Sequence, residues 1–156
     1  MSSDLSAEAS DTVIKLETNI DDSTGEALGA VLELLMEAGA KDAYFVPAYM
    51  KKHRPAYVLN VICGQKDKDR LEEIIFRNTT TIGIREIVCA RKVLERRVVR
   101  METPWGKADV KVCRIKDDQV VYPEADSVML LGRAKGIGYS EMYHLIKTFA
   151  QNEIDL

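Results

Sequence analysis

A chain of 156 residues in which 46% of the side chains are hydrophobic, 30% charged and 6% aromatic has the balance of a soluble globular domain, which excludes a fibre, a coil and a bundle of membrane helices. Twenty-two Lys and Arg against twenty-five Asp and Glu leave a formal charge of -3, so the overall field recruits neither nucleic acid nor an anionic membrane. Any anion site must therefore be local.

Residues 1–11 are rich in Ser, Ala and acidic side chains without apolar periodicity, which predicts a disordered lead. A first subdomain is expected over 12–93. Val13 to Ile20 alternates as a strand, with Ile14, Leu16, Thr18 and Ile20 on a core face and Lys15, Glu17 and Asn19 on a polar one. Asp21 and Asp22 end it, and Ser23-Thr24-Gly25-Glu26 has capping-box spacing ahead of a helix whose Leu28, Val31, Leu32, Leu35 and Met36 form one stripe. Gly39 closes that helix. Ala43 to Met50 is β-prone, with Pro47 predicting an edge strand or a bulge, and Lys51-Lys52-His53-Arg54-Pro55 leads into a strand over Ala56 to Cys63. Asp67 to Arg77 is a second amphipathic helix and Ile84 to Val93 a fourth strand. The order βαββαβ predicts an α+β, ferredoxin-like arrangement with helices on one face of an antiparallel sheet. Its bare face, carrying Glu17 and Asn19, invites a partner subunit.

A second subdomain, 94–151, is expected to pack on the first. Leu94 to Glu102 and Lys107 to Lys116 flank a hairpin turn at Thr103-Pro104-Trp105-Gly106, with a short strand at Val120 to Tyr122. Pro123 and Glu124 suit the first turn of a helix through Val128, Leu131 and Ala134, ended by Gly136 and Gly138. Ser140 can cap a last helix with Met142, Leu145, Ile146 and Phe149 on its buried stripe.

Three cysteines, Cys63, Cys89 and Cys113, sit apart inside apolar runs and read as small packing residues in a reducing compartment. With His53 and His144 the only histidines, no self-contained transition-metal site and no Ser-His-Asp or Cys-His constellation can be assembled. The N-terminus lacks a secretory leader, and we read the chain as cytoplasmic.

The densest chemistry lies in Glu17-Thr18-Asn19-Ile20-Asp21-Asp22. Carboxylates gathered at a strand end suit Mg²⁺ or Mn²⁺, which takes one or two protein carboxylates and completes its shell with phosphate and water oxygens. Asp22 or Ser23 would serve equally as a helix cap. Strand parity places Asp21 with Glu17 and Asn19, so the residues alone do not choose between Asp21 and Asp22 as metal ligand. Lys51, Lys52 and Arg54 concentrate charge able to hold a triphosphate, stiffened by Pro47 and Pro55, or simply form a solvated loop. Thr79-Thr80-Thr81-Ile82-Gly83-Ile84-Arg85 offers hydroxyls and an arginine at a helix-to-strand junction, without Walker A spacing. Arg91, Lys92, Arg96, Arg97 and Arg100 read as a solvated sheet face, since so few aromatics are interleaved for stacking on single-stranded nucleic acid. Trp105 reads as a packing anchor.

Glu17-Thr18-Asn19-Ile20-Asp21-Asp22-Ser23-Thr24-Gly25-Glu26, Met50-Lys51-Lys52-His53-Arg54-Pro55, Thr79-Thr80-Thr81-Ile82-Gly83-Ile84-Arg85, Thr103-Pro104-Trp105-Gly106-Lys107 and Tyr122-Pro123-Glu124 occur in the order found in one family. From about Val13 to Phe149 the chain resembles the C-terminal domain of the LarC family, the nickel insertion proteins of nickel-pincer cofactor biosynthesis. The resemblance implies a CTP-dependent nickel chelatase, or cyclometallase, acting on pyridinium-3,5-bisthiocarboxylic acid mononucleotide. This part would bind CTP with Mn²⁺ or Mg²⁺ and assemble as a homo-oligomer, a trimer or hexamer. Nickel itself would be handled by the family's N-terminal domain. With the resemblance, Asp21 or Asp22 is assigned as metal ligand, the choice between them left open, and Lys51, Lys52, Arg54, Thr80, Thr81 and Arg85 as phosphate contacts; no catalytic residue is assigned. His53 departs from the small or polar residue expected in the basic loop. The competing expectation is a non-catalytic oligomerisation or small-ligand-sensing module.

Overall fold

β1 (Ser10–Ile20) lies inside a four-stranded antiparallel sheet, between β3 (Arg54–Cys63) and β4 (Arg85–Lys92), with β2 (Asp42–Met50) on the outer side of β3. The computed structural model describes residues 10–154. Residues 1–9 of the expected lead lie outside the described residues, whereas Ser10 and Asp11 are already paired in β1, ahead of the strand start read from apolar alternation. Backbone pairing does not need an apolar side chain, so the strand outruns its pattern.

α1 (Gly25–Glu37) and α2 (Lys68–Asn78) complete the βαββαβ order that the alternation predicts. They cover the face bearing Ile14, Leu16 and Ile20. Leu16, Leu35, Leu59, Val61 and Leu71 in this core are all 0% exposed, and each large apolar side chain so buried contributes about 1.5–3 kcal/mol. Cys63 is buried in the same cluster as a small apolar filler. Pro47 sits in β2 in continuous register opposite Tyr57, so it marks an edge strand and not a bulge.

The capping box is corrected. Thr24, not Ser23, is the N-cap of α1, its Oγ1 accepting from the Ala27 N–H at 3.3 Å, which puts Glu26 one position too early to reach back. Asp22 is thereby excused from capping.

The chain divides into two compact units at Val93 and Leu94. The second is a three-stranded meander, β5 (Arg96–Thr103), β6 (Gly106–Ile115) and β7 (Asp118–Pro123), with α3 (Ala125–Lys135) and α4 (Tyr139–Ile154). Val110, Val121, Val128, Met142, Ile146 and Ala150 form its buried centre, all at 0% exposure. Three boundaries move. Pro123 ends β7 and Glu124 is the N-cap of α3, because the Glu124 N–H still donates to Asp109 O as part of the sheet. α4 begins at Tyr139, before Ser140, and runs past residue 151 to Ile154. Within it, Gln151 donates to Gln119 O and accepts from the Val121 N–H, satisfying backbone groups along the outer edge of β7.

Gly106 closes the β5–β6 hairpin at φ +134°, where a Cβ would lie 2.8 Å from Leu131 Cδ2. The backbone conformation therefore favours glycine there, and a Cβ would also force the Leu131 methyl to shift. Trp105 beside it packs edge-on against Phe149, with ring centroids 6.4 Å apart, as an anchor within this unit. No helix among the described residues is long and apolar enough to cross a membrane.

Candidate functional site

Three connections of the first unit meet at one end of its sheet because β1 and β2 end there and β4 begins there. They are the β1–α1 junction with Asp21 and Asp22, the β2–β3 turn at Lys51–His53, and the α2–β4 loop over 79–84. The fold thus gathers the acidic, basic and threonine-rich motifs that lie far apart in sequence.

Their side chains pair with one another. Arg54 Nη1 reaches Asp21 Oδ2 at 3.3 Å, and the Thr80 hydroxyl donates to Asp22 Oδ1. Arg85, in register opposite Glu17, donates to Glu17 Oε1 at 2.9 Å and to Asn19 Oδ1. Lys15 Nζ lies 2.6 Å from Glu17 Oε2. These two cations, the Lys15 hydrogen bond first, hold the Glu17 carboxyl below the usual carboxylate range, while Glu17 raises Lys15 above the usual lysine range. Glu17, Asn19, Arg85 and Asn60 line a shallow depression on the sheet face opposite the helices, beside half-exposed Tyr44 and Val46.

Lys51, Lys52 and His53 form a 3₁₀ turn whose side chains are exposed. Lys52 and His53 both hold positive φ, 62° and 56°, a left-handed backbone that costs a residue with a Cβ. Among the described residues Lys51 and Lys52 make no side-chain hydrogen bond or ion pair. Two cations are thus presented without partners beside a third, Arg54, that holds a carboxylate.

The loop over 79–84 is held from below. Thr18, 1% exposed on the helix-covered face of β1, lies 2.5 Å from Thr81 Oγ1 and 2.8 Å from the Gly83 carbonyl oxygen. Thr81 Oγ1 is itself 3.0 Å from that carbonyl, and Thr79 Oγ1 accepts from the Thr81 N–H. Sequence reasoning listed Thr18 as a core-facing position and missed this role. The available signal was a hydroxyl in a row of Ile14, Leu16 and Ile20, since a buried hydroxyl requires a partner.

The donor set suits a hard cation only in part. Among the described residues no group of three or more His, Cys, Asp or Glu lies close enough to hold a metal ion. Two exposed carboxylates, Asp21 and Asp22, match the small protein share that Mg²⁺ or Mn²⁺ needs when phosphate oxygens complete the shell. Two arginines of the second unit have partners there: Arg100 makes a bidentate pair with Asp109, and Arg97 donates to Gln119 Oε1 at 3.3 Å.

A family model described as nickel insertion protein matches residues 2–143. A pyridinium-3,5-bisthiocarboxylic acid mononucleotide nickel insertion protein of Alkaliphilus metalliredigens is 48% identical over 128 residues, which are 82% of this chain and 30% of that protein. A protein of the same name from Lactiplantibacillus plantarum is 39% identical over 133 residues, 85% of this chain and 32% of its own length. The chain therefore spans a minor part of these relatives. The apo structure of LarC2, the C-terminal domain of a cyclometallase involved in the synthesis of the NPN cofactor of lactate racemase, superposes with a TM-score of 0.84 at 36% identity, covering 92% of this chain and 99% of that one. A crystal structure of a Methanopyrus kandleri protein, with a TM-score of 0.66 at 22% identity, shares the fold.

Proposed function

The chain belongs to the nickel insertion protein family, and from that premise we propose that it is the nucleotide-binding C-terminal part of a CTP-dependent nickel insertase, a cyclometallase acting on pyridinium-3,5-bisthiocarboxylic acid mononucleotide. The observation that carries the reading is that Asp21 with Arg54, Asp22 with Thr80 and Glu17 with Arg85 pair at one end of the sheet.

The site holds two unpartnered cations, Lys51 and Lys52, whose charge the net negative charge of an entering metal–triphosphate would offset. Asp21 and Asp22 would turn from Arg54 and Thr80 to Mn²⁺ or Mg²⁺, which supplies charge neutralisation between phosphate oxygens. Arg54, freed from Asp21, would join Lys51, Lys52 and Arg85 in holding the phosphates, with Thr80 a further hydroxyl donor from the anchored 79–84 loop. Nickel is cargo, handled by the N-terminal part of the longer relatives. A cytoplasmic setting is supported by Cys63, Cys89 and Cys113, all free thiols. Assembly into a homo-oligomer is supported by the sheet face opposite the helices, where Tyr44, Val46 and Ile87 are 40%, 45% and 41% exposed. That same face favours the second reading, an assembly module without nucleotide chemistry.

Calorimetric titration with CTP, ATP and GTP, each with and without Mn²⁺, tests the proposal. Saturable, metal-dependent, CTP-selective binding is the expected result. Lys51→Ala and Lys52→Ala should then weaken binding without changing oligomer size; loss of oligomer with intact nucleotide affinity would favour the assembly module.

A further inference from the structure

We infer that Thr18 is a positioning residue of this site, acting through its hydroxyl on the 79–84 loop; the inference rests on the nucleotide reading above. Thr18 occupies a position where apolar side chains are the rule. It is opposite Leu59 in register, between Leu16 and Ile20 on the core face, and only it and Asn60 are buried polar residues among those described. Packing alone would be served by valine, which has the same shape and no group to satisfy.

The hydroxyl's partners explain its presence. Thr18 Oγ1, Thr81 Oγ1 and the Gly83 carbonyl oxygen lie 2.5, 2.8 and 3.0 Å apart, three acceptors sharing two protons. In one arrangement Thr18 donates to Gly83 and Thr81 donates to Thr18; in the other Thr81 donates to Gly83 and Thr18 to Thr81. Either way both hydroxyls are satisfied; Thr18 has two links to the loop in the first arrangement and one in the second, and each of them crosses from β1 to the loop. The bond from Thr81 to Gly83 stays within the loop. Thr18 is thus the strand-side anchor of this cluster.

What the anchor holds in place lies on both sides of it. Thr80, next to Thr81, is bonded to Asp22, and Arg85, two residues after Gly83, is bonded to Glu17 and Asn19. Thr18 is itself assigned no contact with nucleotide or metal; the one proposed contact residue it touches is Thr81. Thr18 fixes the height of the loop on which a hydroxyl and a guanidinium are delivered to the end of β1.

The test compares Thr18→Val, Thr18→Ser and Thr81→Val in the full chain by Mn²⁺–CTP calorimetry, thermal unfolding and hydrogen exchange at the Thr81 and Gly83 amides. Thr18→Val should fold with a little-changed melting temperature, bind about tenfold more weakly and exchange those amides about tenfold faster. Thr18→Ser should restore both properties. Thr81→Val should be at least as defective, because it removes a proposed phosphate contact and the acceptor of the Gly83 amide as well. Unchanged amide exchange in Thr18→Val, or a serine variant as defective as valine, overturns the inference. Failure of the unmodified protein to bind any nucleotide instead overturns the nucleotide reading, a result separable from the exchange measurement.

Discussion

Arg100 meets Asp109 through two hydrogen bonds of 2.7 Å from directly opposed positions on β5 and β6, whereas Arg54 reaches Asp21 at 3.3 Å across the open end of a sheet, beyond the last paired rung at Ile20 and Tyr57. Strand register imposes the first pair: once β5 and β6 align, the two side chains face each other and nothing else competes. No ladder imposes the second. Asp21 comes from a connection and Arg54 from the first position of β3, next in sequence to the turn that carries the unpartnered Lys51 and Lys52. Identical chemistry therefore stands on a strand ladder in one unit and at the open end of a sheet in the other.

Charge deletion separates the two most sharply. Asp21→Ala or Asp22→Ala should weaken Mn²⁺–CTP binding at least about tenfold in a calorimetric titration, because charge-assisted contacts are the stronger kind. Asp22 is exposed and the Asp21 side chain is 30% exposed, so the melting temperature should move little. The next effect concerns the cap. Thr24→Ala should cost about 1 kcal/mol in denaturant unfolding, while Asp22→Ala costs α1 nothing, which would confirm that the fold reserves Asp22 for other work. Smaller still is the pair on the strand ladder. Arg100→Ala should lower the melting temperature slightly, and exchanging the two residues as Arg100→Asp with Asp109→Arg should restore it with nucleotide affinity unchanged. The analogous exchange of Asp21 and Arg54 should leave binding lost.

Acid should reveal the least difference, since both sheets carry a carboxyl held low. Lys15 and Arg85 depress Glu17, and Arg100 depresses Asp109. A folded pKa below the unfolded one gives stability that is fully present above the ordinary carboxylate range and is lost as pH falls through the folded value. Glu17→Gln and Asp109→Asn should each flatten the acid limb of a stability–pH curve. For Lys15 the sign reverses: its raised pKa gives stability present below the ordinary lysine value and lost as pH climbs through the folded one.

The βαββαβ order was legible because Ile14, Leu16 and Ile20 alternate while Leu28, Val31 and Leu35 repeat at helical spacing, so the period announces the element. The gathering of Asp21, Arg54 and Thr80 followed from that order once the strands were paired antiparallel. What stayed hidden depends on tertiary neighbours. Ser23 and Thr24 are equivalent as caps until the chain direction after Asp22 is known. Thr18 is indistinguishable from a β-branched filler until Gly83 is brought beside it. The pairing of Arg85 with Glu17 needs the β1–β4 register, which no local pattern specifies.

The left-handed backbone at Lys52 and His53 has a consequence for anyone improving this protein. Each residue sacrifices roughly 1 kcal/mol that glycine would not. A library screened for heat resistance alone should therefore drift to glycine at these two positions, and at position 52 it would discard one of the cations on which the nucleotide reading depends. Robustness and ligand capture pull this hairpin in opposite directions, so selection schemes need to reward both at once.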